Sequence, residues 1–459
     1  MRYYLLNVFF GRVVAAVLTD FACVSLAAAA SVCWNLPGLA PGEVLGIAAL
    51  AGGVAVGCFL YAGAYGLRVL GDARRSTRSV LVGGLLALGV GLTERALGSP
   101  EPHTLAVLAG SGAGSLPFVL LARLAFRRLA RLPRFNQRVL LIGTSDLAVA
   151  IAESVRSSPN LGVELVGFLS DDFLDEGRSI AGFPVLGKIH EVEKVIDSLR
   201  VGVVVVASKD RRDYFPAEEL LHAKLQGCRV ESGISFYERI SGRIYLRDLR
   251  SSYLIFSTGF DYRRPLSALA KRAFDAALSG AALLVAGPLI ALCALAVVLD
   301  SRGPAFFRQL RVGQDGKPFR VWKLRSMVDR AEAITGPTLA SEDDPRITRV
   351  GRVLRKTRLD ELPQLWNVLR GEMSLVGPRP ERPEFIDELS AELPYFRLRS
   401  TLKPGVTGWA QVRYGYVNDV RGFEEKLALD LYYMKYRSLV MDLLILLKTA
   451  KTVLLAHGT

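Results

Sequence analysis

Residues 276–299 form a run of 24 residues without a charge, and basic residues bracket it on both sides. A helix of about 20 such residues can cross the hydrocarbon core of a bilayer. Arg263, Arg264, Lys271 and Arg272 precede the run, and Arg302, Arg308, Arg311, Lys317, Arg320, Lys323 and Arg325 follow it. Lysine and arginine favour the cytoplasmic side, so a single crossing would place one of these clusters on the wrong face. Gly287 and Pro288 sit at the midpoint. Proline lacks a backbone donor and its ring clashes with the preceding turn, so a helix must kink or break there. The segment is therefore expected to be a re-entrant helix-break-helix over 272–299, turning at Pro288 and leaving by the face it entered. An ordinary kinked span is the alternative, and the symmetric flanks disfavour it.

Four further apolar stretches come first, at roughly 13–34, 44–65, 80–97 and 105–126, each close to the length needed to cross. Arg68, Arg74, Arg75 and Arg78 lie between the second and third, and Arg123, Arg127, Arg128, Arg131, Arg134 and Arg138 gather at and after the end of the fourth. The other two connections carry no Lys or Arg outside the span ends. This asymmetry puts the N-terminus, the middle loop and everything after Phe126 on the cytoplasmic side of a multi-pass protein. Asp20 falls near the cytoplasmic end of the first stretch and is expected to be interfacial. Residues 1–10 lack a signal-peptide cleavage pattern, and the apolar run after them is too long for an h-region.

Composition agrees with a membrane protein: 51% of residues are hydrophobic and mean hydropathy is positive. The net charge of +14 favours anionic partners such as lipid headgroups or nucleotides. No nucleic-acid partner is expected, because the basic residues are divided between membrane-flanking loops and one C-terminal domain. The five cysteines have no metal-site spacing and suggest no disulfide framework, and the four histidines are scattered.

Residues 138–257 read as a soluble α/β domain. RVLLIG at 138–143, residues 163–169, VGVVVVAS at 201–208 and residues 228–231 are strand-like. Helical stretches at 146–156 and 217–225 alternate with them, which argues for a doubly wound, Rossmann-like sheet. The turn GTSDLA at 143–148 sits where a dinucleotide phosphate would dock, but keeps only the first glycine of the dinucleotide fingerprint. A structural or regulatory domain is favoured, and a nucleotide or CoA-like ligand is left open.

Near the C-terminus, TRLDELPQLWNVLRGEMSLVGPRPERPEF (357–385) places adjacent carboxylates, Asp360 and Glu361, at the mouth of an expected amphipathic helix with Leu362, Leu365, Trp366 and Leu369 as its buried stripe. Neighbouring helical residues point about 100° apart, so the two acids can take different partners. Pro378 and Pro380 restrict the backbone around Arg379, so its guanidinium can be held as a bidentate phosphate clamp. Arg355 lies one turn upstream of the acids and is a second phosphate candidate. A surface ion pair or headgroup contact is the alternative for both arginines. Lys323 and Arg325 can line the site or bind lipid phosphate. Trp409 can stack on a base or serve packing. Residues 439–456 read as an interfacial helix.

From about Arg263 onward the chain resembles the bacterial sugar transferases, the monotopic polyprenyl-phosphate phosphoglycosyl transferases. The resemblance rests on KRAFD (271–275), the Pro288 break, SRGPAFFRQLRVGQDGKPFRVWKLRSM (301–327), the run from DDPRITRVGRVLRKTRLDELPQ through PERPEF (343–385), and KPGVTGWAQVRYGY (403–416). The PERPEF and QVRYGY details look closest to the exosortase-associated (PEP-CTERM) branch. Two positions depart from the family pattern: Leu324 stands for its Phe, and Gly287 for its Ser at the helix break.

The resemblance implies three regions: a four-span α-helical membrane region (1–130), a Rossmann-like α/β cytoplasmic domain (138–257), and an α/β monotopic phosphoglycosyl transferase domain (263–459). It implies that Asp360 attacks the sugar-linked phosphate of a UDP-hexose, with Glu361 as its neighbouring acid. UMP would leave, and polyprenyl (undecaprenyl) phosphate would then take the phosphosugar from the enzyme, initiating exopolysaccharide repeat-unit assembly. Mg²⁺ is expected, held by Glu361 or Asp360, because a diphosphate leaving group needs its charge neutralised. The setting would be the cytoplasmic face of a bacterial inner membrane, with membrane lipids as partners and homo-oligomerisation left open. Two rivals are a glycosyltransferase that moves sugar without phosphate and a non-catalytic membrane sensor or scaffold. A nucleotide-sugar oxidoreductase is disfavoured by the degraded glycine pattern and the lack of a Tyr-x-x-x-Lys pair in 138–257.

Overall fold

A computed structural model describes residues 11–35, 40–61, 76–85, 117–125, 128, 136–158, 162–172, 177–208, 216–260, 265–329, 331, 344–414 and 420–454. The chain divides into two compact units, Met1–Ser241 and Gly242–Thr459.

In the first unit, α1 (Gly11–Asn35) covers the first expected span and α2 (Pro41–Tyr61) most of the second. Most of the third and fourth lies outside the described residues, although residues 76–85 and 117–125 are helical. Val80 and Val119 from those helices share a buried cluster with Ala16, Val24, Ala55 and Phe59. Among the described residues of this region, only α1 is long and apolar enough to cross a membrane, and α2 contributes a shorter apolar stretch, Pro41–Val56. Within the described residues this region thus shows one helix of spanning grade, and the third and fourth expected spans lie largely outside them. Asp20 is buried and ion-paired with Arg123, a residue the sequence pattern placed among the flanking cations. A carboxylate taken out of water is tolerated when an opposite charge meets it.

The same unit carries a six-stranded sheet: β1 (Gln137–Ile142), β2 (Val163–Leu169), β3 (Ser179–Ile180), β4 (Phe183–Gly187), β5 (Val203–Val206) and β6 (Arg229–Ser232), in the order β3-β4-β2-β1-β5-β6. All pairs are parallel except β3 with β4. Parallel strands need crossovers, here supplied by α3 (Asp146–Ser157), α4 (Val192–Leu199) and α5 (Ala217–Leu225), with α6 (Gly233–Ser241) following β6. Val139–Ile142 and Val203–Val205 are almost fully buried, as strands covered on both faces must be. Strand order reverses between β1 and β5, where doubly wound sheets have their crevice. Gly143 ends β1 at φ 91°, and a Cβ there would lie 2.9 Å from the Ser208 Cα. The Ser145 hydroxyl caps α3, accepting from the Ala148 amide at 3.4 Å, and donates to the Ala207 carbonyl.

The second unit begins earlier than the sequence suggested. Ile244 and Leu249 belong to its core, the Ile244 amide donates to the Ala428 carbonyl, and Trp409 Nε1 donates to the Gly242 carbonyl. Residues 242–257, including the short α7 (Ser251–Phe256), therefore leave the sheet domain, and the boundary falls after Ser241.

The uncharged run is part of α8 (Pro265–Asp300), which is continuous through Pro288 rather than divided there. Leu283, Ala286, Ile290, Cys293, Ala294 and Val297 recur every three or four residues and pack with Val350, Leu354, Leu359, Leu362 and Leu324. This stripe docks on one surface before and after the proline, so packing carries the helix past a residue that local sequence marks as a breaker. The opposite face is apolar and exposed, with Leu284, Val285, Leu292 and Leu299 all more than half exposed. Both ends of α8 are tied to the same unit. Arg272 donates to the Val368 and Leu369 carbonyls at 2.6 Å, and Lys271 bridges Asp275 and Asp442 at 2.9 Å each. At the far end Arg325 donates to the Ser301 carbonyl at 2.7 Å and to that of Val297 at 3.4 Å.

The rest of the unit comprises an antiparallel hairpin, β7 (Phe306–Val312) with β8 (Pro318–Leu324), and a parallel pair, β9 (Ser374–Val376) with β10 (Gly405–Thr407). Helices α9 (Arg349–Thr357), α10 (Gln364–Arg370), α11 (Pro383–Glu392), α12 (Trp409–Arg413), α13 (Val420–Tyr436) and α14 (Leu439–Leu454) surround them. On α14, Asp442 and Ile445 are buried while Leu439, Val440, Leu443 and Leu444 are exposed.

Candidate active site

Asp360 and Glu361 sit in a tight 3₁₀ turn, Leu359–Glu361, between α9 and α10, not in the first turn of a longer helix. Thr348 caps α9, its hydroxyl accepting from the Gly351 amide at 3.0 Å. The helix ends at Arg358, whose left-handed backbone (φ 59°) reverses the chain into the turn. Pro363 then starts α10, since it has no amide to continue an earlier helix. The expected buried stripe is partly displaced. Leu365 is buried, but Trp366 is 49% exposed, and Asn367 and Val368 are fully buried in its place. Asn367 fixes α10 to β8: its side chain accepts from the Trp322 amide at 3.0 Å and donates to the Arg320 carbonyl at 2.8 Å. That brace sets Lys323, the next residue on β8, beside the acidic turn.

Glu361 is saturated with positive charge. Its Oε1 lies 2.9 Å from Arg379, 3.1 Å from Lys323 and 4.0 Å from Arg358. Burial pushes its acid up, but Arg379, Lys323 and Arg358, with the hydrogen bond from Arg379, outweigh this and hold it well below the usual carboxylate range. Asp360 behaves in the opposite way. Burial raises its acid, the Glu361 charge adds to the rise, and Lys323, Arg358 and Arg355 oppose it. Asp360 is 8% exposed, and its Oδ1 is buried without a hydrogen-bond partner among the described residues. The two neighbours thus divide: one carboxylate is held ionised by fixed cations, and the other keeps an oxygen uncommitted.

Arg379 reaches Glu361 because β9 and β10 approach closely. A Cβ on Gly405 would lie 2.1 Å from the Gly377 nitrogen, so only glycines permit the contact that presents the Pro378–Arg379–Pro380 corner. Lys323 and Arg379 are therefore brought together with both acids. Arg355 is half-buried on α9, and its charge acts on Asp360 and on Asp344. Arg325 is not brought in: its guanidinium donates to the Val297, Ser301, Arg302 and Gly303 carbonyls and so caps α8. Its position two residues after Lys323 gave no hint of this, because β8 ends at Leu324 and Arg325 lies beyond the strand. Trp409 serves packing, stacked with Tyr432 at 6.1 Å and with Lys448 4.7 Å from its ring. Arg358 was missed by the motif reading, although it stands two residues before Asp360.

No group of three or more His, Cys, Asp or Glu side chains that could hold a metal alone occurs among the described residues. Mg²⁺ needs less protein than that: one or two carboxylates suffice when phosphate oxygens complete the shell. The uncommitted Asp360 oxygen fits that requirement, whereas Glu361 Oε1 already faces three cations. The arrangement as a whole can do one kind of chemistry well. A carboxylate nucleophile can attack an electrophile whose negative charge Lys323, Arg358, Arg379 and Arg355 stabilise.

Comparisons with known proteins identify a family. Residues 266–456 match the model of the family described as bacterial sugar transferase. The chain is 41% identical over 221 residues to a UDP-N-acetylgalactosamine-undecaprenyl-phosphate N-acetylgalactosaminephosphotransferase of Aeromonas hydrophila, covering 48% of this chain and 51% of that protein, so it spans about half the length of that relative. It is 33% identical over 340 residues to the UDP-glucose:undecaprenyl-phosphate glucose-1-phosphate transferase of Escherichia coli, covering 69% of this chain and 67% of the relative. A UDP-galactose-lipid carrier transferase of Erwinia amylovora is 31% identical over 369 residues, 75% of this chain and 74% of its own. These longer matches extend beyond the C-terminal family segment. With the paired acids and their arginines in place, the chain belongs to the bacterial sugar transferase family.

Proposed function

We propose that this protein transfers hexose-1-phosphate from a UDP-sugar to polyprenyl (undecaprenyl) phosphate, with release of UMP, and so initiates exopolysaccharide repeat-unit assembly. The observation that carries the reading is the buried, unpartnered Oδ1 of Asp360 beside a Glu361 already neutralised by cations. An Asp360 oxygen attacks the sugar-linked phosphorus, and the bond from that phosphorus to the UMP oxygen breaks. Polyprenyl phosphate then attacks the same phosphorus, and the Asp360 carboxylate leaves. Arg379, Lys323 and Arg358 hold Glu361 ionised and present donors toward the diphosphate, while Arg355 adds positive charge near Asp360. Mg²⁺, held by Glu361 or Asp360, would supply charge neutralisation at the leaving phosphate. The relatives' names, which give UDP-sugars and undecaprenyl phosphate as their substrates, support the donor and acceptor classes.

The membrane setting follows from α8. A straight helix of its 36 residues would be about 54 Å long, more than a bilayer's hydrocarbon thickness, yet both ends are bound to one globular unit. A crossing would put those ends on opposite sides, so we place α8 as a continuous membrane element that stays at one face, its exposed leucines in lipid and the acids near headgroup depth. The four N-terminal segments then anchor the protein as spans in the inner membrane, with the catalytic unit on the cytoplasmic side. Within the family, PERPEF and QVRYGY point to the exosortase-associated branch.

The test is purified enzyme with a panel of UDP-sugars and polyprenyl phosphate, reading the released nucleotide. UMP, lost on Asp360→Asn, is expected. Release of UDP instead would establish the sugar-only glycosyltransferase.

A further inference from the structure

The Pro378–Arg379–Pro380 corner has an unusual anchoring problem. Two of its three residues are prolines and offer no backbone donor, so the corner can be pinned mainly through its carbonyls. Each carbonyl from Pro378 to Glu381 has a donor. Pro378 accepts from the Gly405 amide at 2.8 Å, and Glu381 from the Val312 amide at 3.0 Å. The middle two depend on side chains: Pro380 accepts from Arg311 Nη1 at 3.2 Å, and Arg379 from Arg399 Nη2 at 3.1 Å.

Arg399 is itself fixed from behind. Its Nη2 lies 2.8 Å and its Nε 3.0 Å from Asp430 Oδ2, and Nη1 lies 3.5 Å from Glu381 Oε1. Arg399 is 4% exposed and Asp430 1% exposed, on a short 3₁₀ segment (Phe396–Thr401) and on α13 respectively. A buried pair of this kind is weak evidence for stability, because the desolvation of two charges offsets their attraction. Its geometry gives it another use. The planar guanidinium addresses Asp430 through one edge and the Arg379 carbonyl through the same outer nitrogen, so the carboxylate sets where that carbonyl can lie.

We propose that the buried Arg399–Asp430 pair is a positioning device for Arg379, fixing the corner's backbone so that the Arg379 guanidinium meets Glu361 and the donor's phosphate. This rests on the assignment of Glu361 and Arg379 to the anion site. Neither Arg399 nor Asp430 touches substrate. They act through the corner, at a site where a displacement of about 1 Å is worth on the order of a hundredfold in rate.

The test is a double-mutant cycle on the full-length enzyme, reading UMP release and the KM for the UDP-sugar. Arg399→Lys keeps a cation facing Asp430 but loses the fork that reaches the Arg379 carbonyl. It should lower kcat/KM by about tenfold to a hundredfold, with a thermal midpoint close to wild type. In an Arg379→Lys background the same change should lower it by less than about twofold, since the group being positioned is already altered. Asp430→Asn, which keeps shape and loses charge, should show the same coupling and serves if Arg399→Lys folds poorly. Wild-type activity of Arg399→Lys, or equal fractional losses in both backgrounds, would overturn the positioning role and leave the anion site intact. Wild-type activity of Arg379→Lys would instead remove the anion-site assignment and the positioning role with it.

Discussion

In the six-stranded sheet domain, charge mostly stays in water. Lys194–Glu191 and His222–Glu193 are exposed pairs, Arg138–Glu164 is about one-third exposed, and the interior is built from β-branched and leucine side chains. Glu238 and the Arg239–Glu231 pair, around α6, are the exceptions. The second unit does the reverse. Asp275, Arg325, Asp360, Arg399, Asp430 and Asp442 are each 8% exposed or less. Exposed pairs contribute little, and buried ones seldom add net stability, so the second unit's interior is not explained by folding alone. Its charges tie α8 to β9 and α14, cap it, hold the proline corner and surround the acidic turn. The contrast separates a region whose residues answer to stability from one whose residues answer to position.

The largest effect should come from Asp360→Asn. UMP release falls to background while the thermal midpoint stays level or rises. The sign follows from the raised acid of Asp360. Its folded pKa lies above its unfolded one, so at any pH above both the ionised group penalises the folded state, and the penalty disappears below both. A midpoint several degrees lower, measured by scanning fluorimetry, would contradict this. Glu361→Gln should also lose activity, by about a hundredfold or more, but with a lower midpoint at neutral pH. Its depressed acid contributes stability that is present above the unfolded pKa and lost as pH falls toward the folded one. Neighbouring acids with opposite stability signs would be hard to obtain if the turn were merely structural.

Lys323→Met comes next, with a loss of about a hundredfold in kcat/KM. It should also move the acid limb of the pH–rate profile upward. That limb reports Asp360 ionisation, and Lys323 is the strongest charge lowering the Asp360 acid. A limb that stays put in Lys323→Met would detach Asp360 from the profile. The smallest catalytic effect belongs to the other region. Gly143→Ala puts a Cβ against Ser208 at a positive φ and should destabilise the sheet domain by more than about 1 kcal/mol while leaving kcat unchanged. A fall in kcat matching that of the active-site variants would break the division between the two regions.

What the sequence disclosed follows the same division. Val163–Leu169 and Ala217–Leu225 have the expected bounds because apolar runs and periodicity act locally. The acids and Arg379 were legible because chemistry had restricted their neighbours to a recognisable run. The turn itself was not, since Pro363 and the left-handed Arg358 divide what periodicity reads as one helix, and this turns Trp366 outward. Pro288 reads as a break because propensity is local, whereas the stripe that keeps α8 continuous through it depends on Leu324 and Leu354 from distant elements. Arg325 could not be placed because its partners are carbonyls, which carry no signature in sequence. Arg399 and Asp430 stand 31 positions apart, and no local pattern joins them.

The most direct measurement is intact-protein and peptide mass spectrometry of the purified enzyme incubated with UDP-sugar alone and quenched in acid. A hexose-phosphate adduct on the peptide bearing Asp360, absent from Asp360→Asn, is the predicted result. Repeated turnover with UMP release and no adduct at any quench time, or an adduct that persists in Asp360→Asn, would contradict it.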